Sequence, residues 1–173
     1  MKIFKNSLKK GLVTIDSACF KAVTSKAAEA SGSELKTLIQ QKFSRSLRIR
    51  EVDTGSCGGC ESEIISATNP VYDLQRFGID FVASPRHADV LLVTGPVSRN
   101  MELALKKTFE AMPGPKIVVT LGDCAENGGL FKDSYYTIGG VKNVLPVTLH
   151  IPGCPPNPKE IIAALLSFLK AGR

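Results

Sequence analysis

At 173 residues, with 43% hydrophobic and 22% charged, the chain is long enough to bury a core of its own as one domain and too apolar to be disordered. No apolar run approaches the roughly eighteen residues of a membrane span, Val90–Val93 and Ile161–Leu166 being the longest, and aromatics at 6% with no Trp argue against a base-stacking nucleic-acid binder. The net charge of +6 is uneven: residues 1–50 carry 11 Lys/Arg against 3 Asp/Glu and the remainder 11 against 13, so the basic character belongs to the N-terminal third and says nothing for nucleic-acid binding by the main domain.

The chain begins as a basic arm with Lys2, Lys5, Lys9 and Lys10. Such an arm docks on an acidic partner or anionic headgroups, or is simply a solvated tail. Gly11–Phe20 contains Asp16 and is too weak for a secretory apolar segment, and Cys19 stands in a poor lipidation site, so a cytoplasmic location is expected. Ala27–Ser33 is small and polar and reads as a flexible join between the arm, residues 1–33, and a domain of residues 34–173. Ser33 then opens a helix to Phe43, with Leu35, Leu38, Ile39 and Phe43 on one face. Its basic outer face suits a partner subunit, and its apolar face suits packing on its own domain.

Leu47–Val52 follows as a strand, and Thr54-Gly-Ser-Cys-Gly-Gly-Cys60 as a turn-rich loop. A helix is expected over Glu61–Gln75, strands over Ile79–Ala83 and Asp89–Val93, and a helix over Asn100–Met112 stopped by Pro113-Gly-Pro115. Lys116–Leu121 is a β-branched strand ended by Gly122-Asp-Cys124, residues 125–143 read as loop, and Leu145–Ile151 is a strand closed by Pro152-Gly-Cys-Pro-Pro156. Pro158 serves as the first residue of a last helix, Lys159–Lys170. Nearly continuous apolar strands alternating with helices predict an α/β fold, a doubly wound parallel sheet covered on both faces.

Five cysteines, Cys19, Cys57, Cys60, Cys124 and Cys154, are an odd number without a secretory signal, which argues against a disulfide framework. Four of them, Cys57, Cys60, Cys124 and Cys154, fall just past the carboxyl ends of predicted strands. In an open α/β sheet those ends share one edge, where ligands bind. Each is set among glycines, which let backbone approach a bulky group closely. Cys57-x-x-Cys60 also precedes a helix N-terminus, which favours thiolate. Four thiolates suit Zn²⁺ or an iron–sulfur cluster. One close pair plus two distant singles, the last followed by proline, favours [4Fe–4S] over a zinc site built of two pairs. Unrelated core cysteines beside a redox Cys-x-x-Cys would make the strand-end placements a coincidence.

The segments Asp53-Thr-Gly-Ser-Cys-Gly-Gly-Cys-Glu-Ser-Glu-Ile64, Tyr72-Asp-Leu-Gln-Arg-Phe-Gly78, Ser84-Pro-Arg-His-Ala-Asp-Val-Leu-Leu-Val-Thr-Gly-Pro-Val97, Gly122-Asp-Cys124 with Gly128-Gly129, and Pro152-Gly-Cys-Pro-Pro156 together resemble a known family. It is the small subunit of group 4 energy-converting, membrane-bound [NiFe]-hydrogenases of the formate hydrogenlyase type, related to the 20 kDa iron–sulfur subunit of respiratory complex I. The resemblance covers about residues 35–170. It implies a flavodoxin-like fold and one [4Fe–4S] cluster held by Cys57, Cys60, Cys124 and Cys154. It implies a non-catalytic electron-transfer subunit of an oxidoreductase, peripheral on the cytoplasmic side of a membrane complex. The implied partners are a catalytic large subunit holding [NiFe], a ferredoxin-like polyferredoxin subunit and membrane-arm subunits, with proton reduction to hydrogen coupled to ion translocation. Complex I subunits have adjacent cysteines in the first pair, so Cys57-x-x-Cys60 is the hydrogenase-like form.

A complex I-like or F420-type dehydrogenase relative, linked to quinone or sulfur, and a hydrogenase-derived complex without nickel are alternatives. A zinc-stabilised binding module is a third. The departures are at the ends: nothing extends past Arg173, and the first 30 residues match no part of the family.

Around the four thiols, Glu63 and Glu61 would relay protons or bias a cluster, or simply serve the electrostatics of a helix start. Arg86 and His87 read as loop or interface residues, His150 as a strand-end histidine near Cys154, and Gly95, Gly122 and Gly153 as backbone-geometry positions. Cys19 reads as a free thiol. An apolar interface is expected around the cysteine edge, because electrons must leave through a partner.

Overall fold

The structure is a computed structural model and describes residues 26–171. In chain order its elements are α1 (Lys26–Phe43), β1 (Leu47–Asp53), α2 (Gly59–Ala67), β2 (Ile79–Phe81), β3 (Val90–Thr94), β4 (Val97–Ser98), α3 (Glu102–Ala111), β5 (Ile117–Leu121), α4 (Asp123–Asn127), β6 (Thr137–Gly139), β7 (Leu149–Ile151) and α5 (Pro158–Ala171).

Five strands form one sheet in the order β2-β1-β3-β5-β7. Every neighbouring pair is parallel, with Val52 beside Val93, Val93 beside Thr120, and Thr120 beside His150. Side chains alternate between faces along a strand, and both faces here are apolar. Ile49, Leu92 and Val119 pack with Leu35 and Ile39 of α1, Ile64 of α2 and Ile162 of α5. Val52, Leu91 and Val118 pack on the other side with Leu105 of α3, Ala125 of α4 and Val141. A fully buried side chain of this type contributes about 1.5–3 kcal/mol, which is why β3 tolerates no polar residue before Thr94. The expected doubly wound, flavodoxin-like architecture is therefore present. The chain leaves β1 for β2 on one side and returns to β3 on the other, so strand order reverses beside β1, where such sheets bind ligands.

Several elements differ from expectation. α1 begins at Lys26 and runs through Ala27–Ser33, which is helix and not a join. Gly32 serves packing: a Cβ there would collide with the Phe77 ring. Alanine is also the strongest helix former. α2 stops at Ala67 and not Gln75, because Pro70 lacks an N–H and disfavours helix in the residue before it. Asn69 Oδ1 accepts from the Val71 and Tyr72 amides, and Asp73 then caps a separate 3₁₀ turn, Leu74–Phe77. Residues 125–143, expected as loop, hold most of α4 and the strand β6, which pairs antiparallel with β4. β7 starts at Leu149 and not Leu145, since Pro146 cannot join a ladder. The first 25 residues of the basic arm, with Cys19, lie outside the described residues.

Candidate metal centre

The loop after β1 is held by three side chains. Asp53 Oδ1 accepts from the Gly55 and Ser56 amides, each at 2.7 Å. Thr54, fully buried, donates its hydroxyl to the Thr94 carbonyl at 2.7 Å and ties the loop to the end of β3. Ser56 Oγ accepts from the Gly58 amide at 3.1 Å. Gly95 lets the two loops touch: its φ is +71°, and a Cβ there would lie 2.6 Å from the Ser56 nitrogen. The loop thus delivers Cys57 exposed at the surface and Cys60, half-buried, in the first turn of α2.

β5 and β7 deliver the other two thiols. Their ladder continues past the strand ends, with the Gly122 amide donating to the Ile151 carbonyl at 2.8 Å. Cys124 then sits in α4, and Cys154 follows Gly153 beyond β7. The four cysteines converge: Cys57, Cys60, Cys124 and Cys154 line one cavity of about 90 Å³, together with Ser56, Gly59, Gly95, Asp123, Gly153 and Pro155.

Burial pushes the Cys60 thiol up to about 12, helped by the charge of Glu61 and by Cys124, Cys57 and Cys154. Burial also raises Cys124, followed by the influence of Cys154. Four thiolates here would repel one another strongly, so the set calls for a cation to hold it together.

The residues fit an iron–sulfur cluster. The four thiols line one cavity, and a [4Fe–4S] cluster takes one cysteine thiolate at each of its four irons. Gly122, at φ +86°, leaves that volume clear of a side chain beside Cys60, and Gly129, at φ +52°, packs against Cys124, a Cβ there meeting its sulfur at 2.7 Å.

Other expected residues lie at the margins. Glu63 is partly exposed on α2, outside the cavity lining. Glu61 points inward, with both carboxylate oxygens buried and without a hydrogen-bond partner. Glu51, absent from the sequence reading, lies on β1 and takes a bond from Thr94 Oγ1 at 3.3 Å. Burial, then the charge of Glu61, holds its carboxyl above the usual range. Arg86 and His87 are exposed at the 3₁₀ turn Pro85–His87 and do not line the cavity. His150 lies between Thr120 Oγ1, 3.0 Å from Nδ1, and Glu126, 3.4 Å from Nε2. Asp53 and Asp123 carry no role on sequence grounds, although each stands beside a glycine-rich cysteine loop. After α4, Leu130 and Tyr135 are 89% and 88% exposed, with Phe131 and Tyr136 beside them in sequence. These supply apolar surface on the segment that follows Cys124.

The family model for the NADH ubiquinone oxidoreductase 20 kDa subunit matches residues 57–168. Formate hydrogenlyase subunit 7 of Escherichia coli is 43% identical over 143 residues, covering 83% of this chain, which spans only 55% of that protein. The probable membrane-bound hydrogenase subunit mbhJ of Pyrococcus furiosus is 44% identical over 126 residues, 73% of this chain and 75% of its own. A chain of the membrane-bound sulfane sulfur reductase, an archaeal respiratory membrane complex, superposes with a TM-score of 0.65 at 32% identity, over 79% of this chain and 77% of that one. A chain of an NAD⁺-reducing [NiFe]-hydrogenase shares the fold, with a TM-score of 0.58 at 20% identity over 75% and 94%. Among the described residues no helix is long and apolar enough to cross a membrane. The match across the cysteine-bearing domain makes this chain a member of the NADH ubiquinone oxidoreductase 20 kDa subunit family, whose proteins belong to oxidoreductase complexes.

Proposed function

We propose that this chain is an electron-transfer subunit in which Cys57, Cys60, Cys124 and Cys154 ligate one [4Fe–4S] cluster. The observation that carries the reading is the convergence of four thiols, from three strand ends, on one cavity. When bound, such a cluster supplies one-electron oxidation and reduction. The chain's own residues position it. β1, β5 and β7 set the spacing of the sulfurs, glycines admit the bulk, and the apolar sheet below excludes water. Glu61 places negative charge beside Cys60 and favours the oxidised, less negative state.

The chain itself performs no bond chemistry in this reading. It passes electrons, received from a ferredoxin-like polyferredoxin subunit, to a catalytic large subunit holding [NiFe], within a complex whose membrane arm moves ions on hydrogen formation. The complex holds it peripherally on the cytoplasmic face. Similarity to formate hydrogenlyase subunit 7 and to mbhJ supports this. Likeness to the sulfane sulfur reductase chain favours a second reading, the same cluster in a sulfur- or quinone-linked complex.

The test is to purify the chain with its native complex and measure iron, nickel, zinc and acid-labile sulfide, with EPR after reduction. Iron and acid-labile sulfide with a reducible signal are expected, and nickel in the complex, with iron in slight excess over sulfide, selects the hydrogenase reading. A colourless preparation with one zinc and no sulfide would identify a zinc-stabilised module instead.

A further inference from the structure

Two of the four cysteines share a connection that the other two lack. Asp123 stands one residue before Cys124, and Gly153 one residue before Cys154. The Asp123 amide donates to the Gly153 carbonyl at 2.9 Å. Its carboxylate Oδ1 accepts from the Gly153 amide, also at 2.9 Å. One residue therefore holds both backbone polar groups of Gly153, the residue that leads into Cys154, across a sequence gap of thirty positions. The contrast with Asp53 is instructive. That carboxylate organises only its own loop, at Gly55 and Ser56.

Gly153 needs such a hold. Its φ is +137°, a region that glycine enters freely, and nothing intrinsic to glycine keeps it there. A side chain could not replace the hold, since a Cβ on Gly153 would meet Pro156 at 2.7 Å. Asp123 also lines the cavity that the four thiols share.

We infer that Asp123 is the positioning residue that fixes the Cys154 sulfur relative to Cys124, through its two bonds to Gly153. This rests on the reading of the four cysteines as cluster ligands. Asparagine keeps an acceptor at the same atom and alanine removes it, so the pair D123N and D123A separates hydrogen bonding from charge.

The complex is purified with each variant and read by EPR of the reduced cluster and by the rate of iron loss to a chelator. D123N should keep the wild-type line shape and retention. D123A should change the line shape and lose iron at least about tenfold faster, the factor expected for one lost hydrogen bond. If D123A does not assemble, wild-type behaviour of D123N still upholds the assignment. Wild-type behaviour of D123A would overturn it, and so would equal iron loss from both variants.

Hydrogen exchange at the Gly153 amide in the metal-free full chain gives a reading independent of iron. Exchange should be at least about tenfold faster in D123A than in wild type, and equal rates would overturn the inference. Absence of iron and sulfide from the wild-type complex would instead remove the cluster reading.

Discussion

A Cβ on Gly122 would stand 2.7 Å from the sulfur of Cys60. The two residues come from different elements, Gly122 from the end of β5 and Cys60 from the first turn of α2. The Cys60 thiol also points at the Leu121 carbonyl, 3.6 Å away. Gly122 combines φ +86° with ψ +156°, a region closed to other residues. Gly122→Ala therefore costs about 1–3 kcal/mol in backbone strain and pushes Cys60 out of place. The expected result is a chain that folds, by circular dichroism, but holds well under half the wild-type iron.

Serine in place of Cys57, Cys60, Cys124 or Cys154 should each lower bound iron and abolish or alter the EPR signal. The exposed positions, Cys57 and Cys154, are the better tests, because serine there disturbs no packing. Cys19→Ala should leave iron content unchanged. Iron loss in that variant would show that the ligand set is misassigned.

Glu51 makes the fold sensitive to pH. Burial, then Glu61, then Asp53 raise its carboxyl above the ordinary range, while Thr94 and Arg50 act against them. A raised carboxyl binds its proton more tightly when folded than when unfolded. Its stabilising contribution is complete below the unfolded value of about 4.3 and is lost as pH rises through the folded value. Glu51→Gln removes that loss, so its urea midpoint should exceed wild type at pH 7 and converge with it near pH 4.

The exposed apolar segment after α4 should meet a partner. Leu130 and Tyr135, at 89% and 88% exposure, stand with Phe131 and Tyr136 on one short segment, apolar surface of the kind that marks an interaction site. Glutamate at both positions should leave secondary structure unchanged and reduce co-purification with the large subunit several-fold. Full recovery of the complex would place the interface elsewhere.

The regular framework was legible because it is written locally. The apolar runs Val90–Val93 and Ile117–Leu121 declare buried parallel strands, and Pro158 marks the start of α5. The cysteine positions were legible for the same reason: each follows a strand and sits in glycine-rich turn chemistry. Once strands are parallel, their carboxyl ends must share an edge, which places the thiols on one side of the sheet; the loops that bring those of β1 and β7 together across β3 and β5 were not legible.

Local signals misled where a residue answers to something distant. Gly32 looks like a hinge and is a contact with Phe77, forty-five positions away. Residues 137–139 carry no strand pattern of their own and become β6 only by pairing with β4.

The sequence by itself determined the alternation of strands and helices and the four thiols at strand ends, because apolar periodicity and turn residues act over a few positions. Only the tertiary structure decided that Asp123 would grip Gly153, that the Glu61 carboxylate oxygens would be buried without a partner, and that Gly122 would stand against a sulfur. Hydrogen bonds and close approach between distant segments depend on distances that exist only after the sheet has formed.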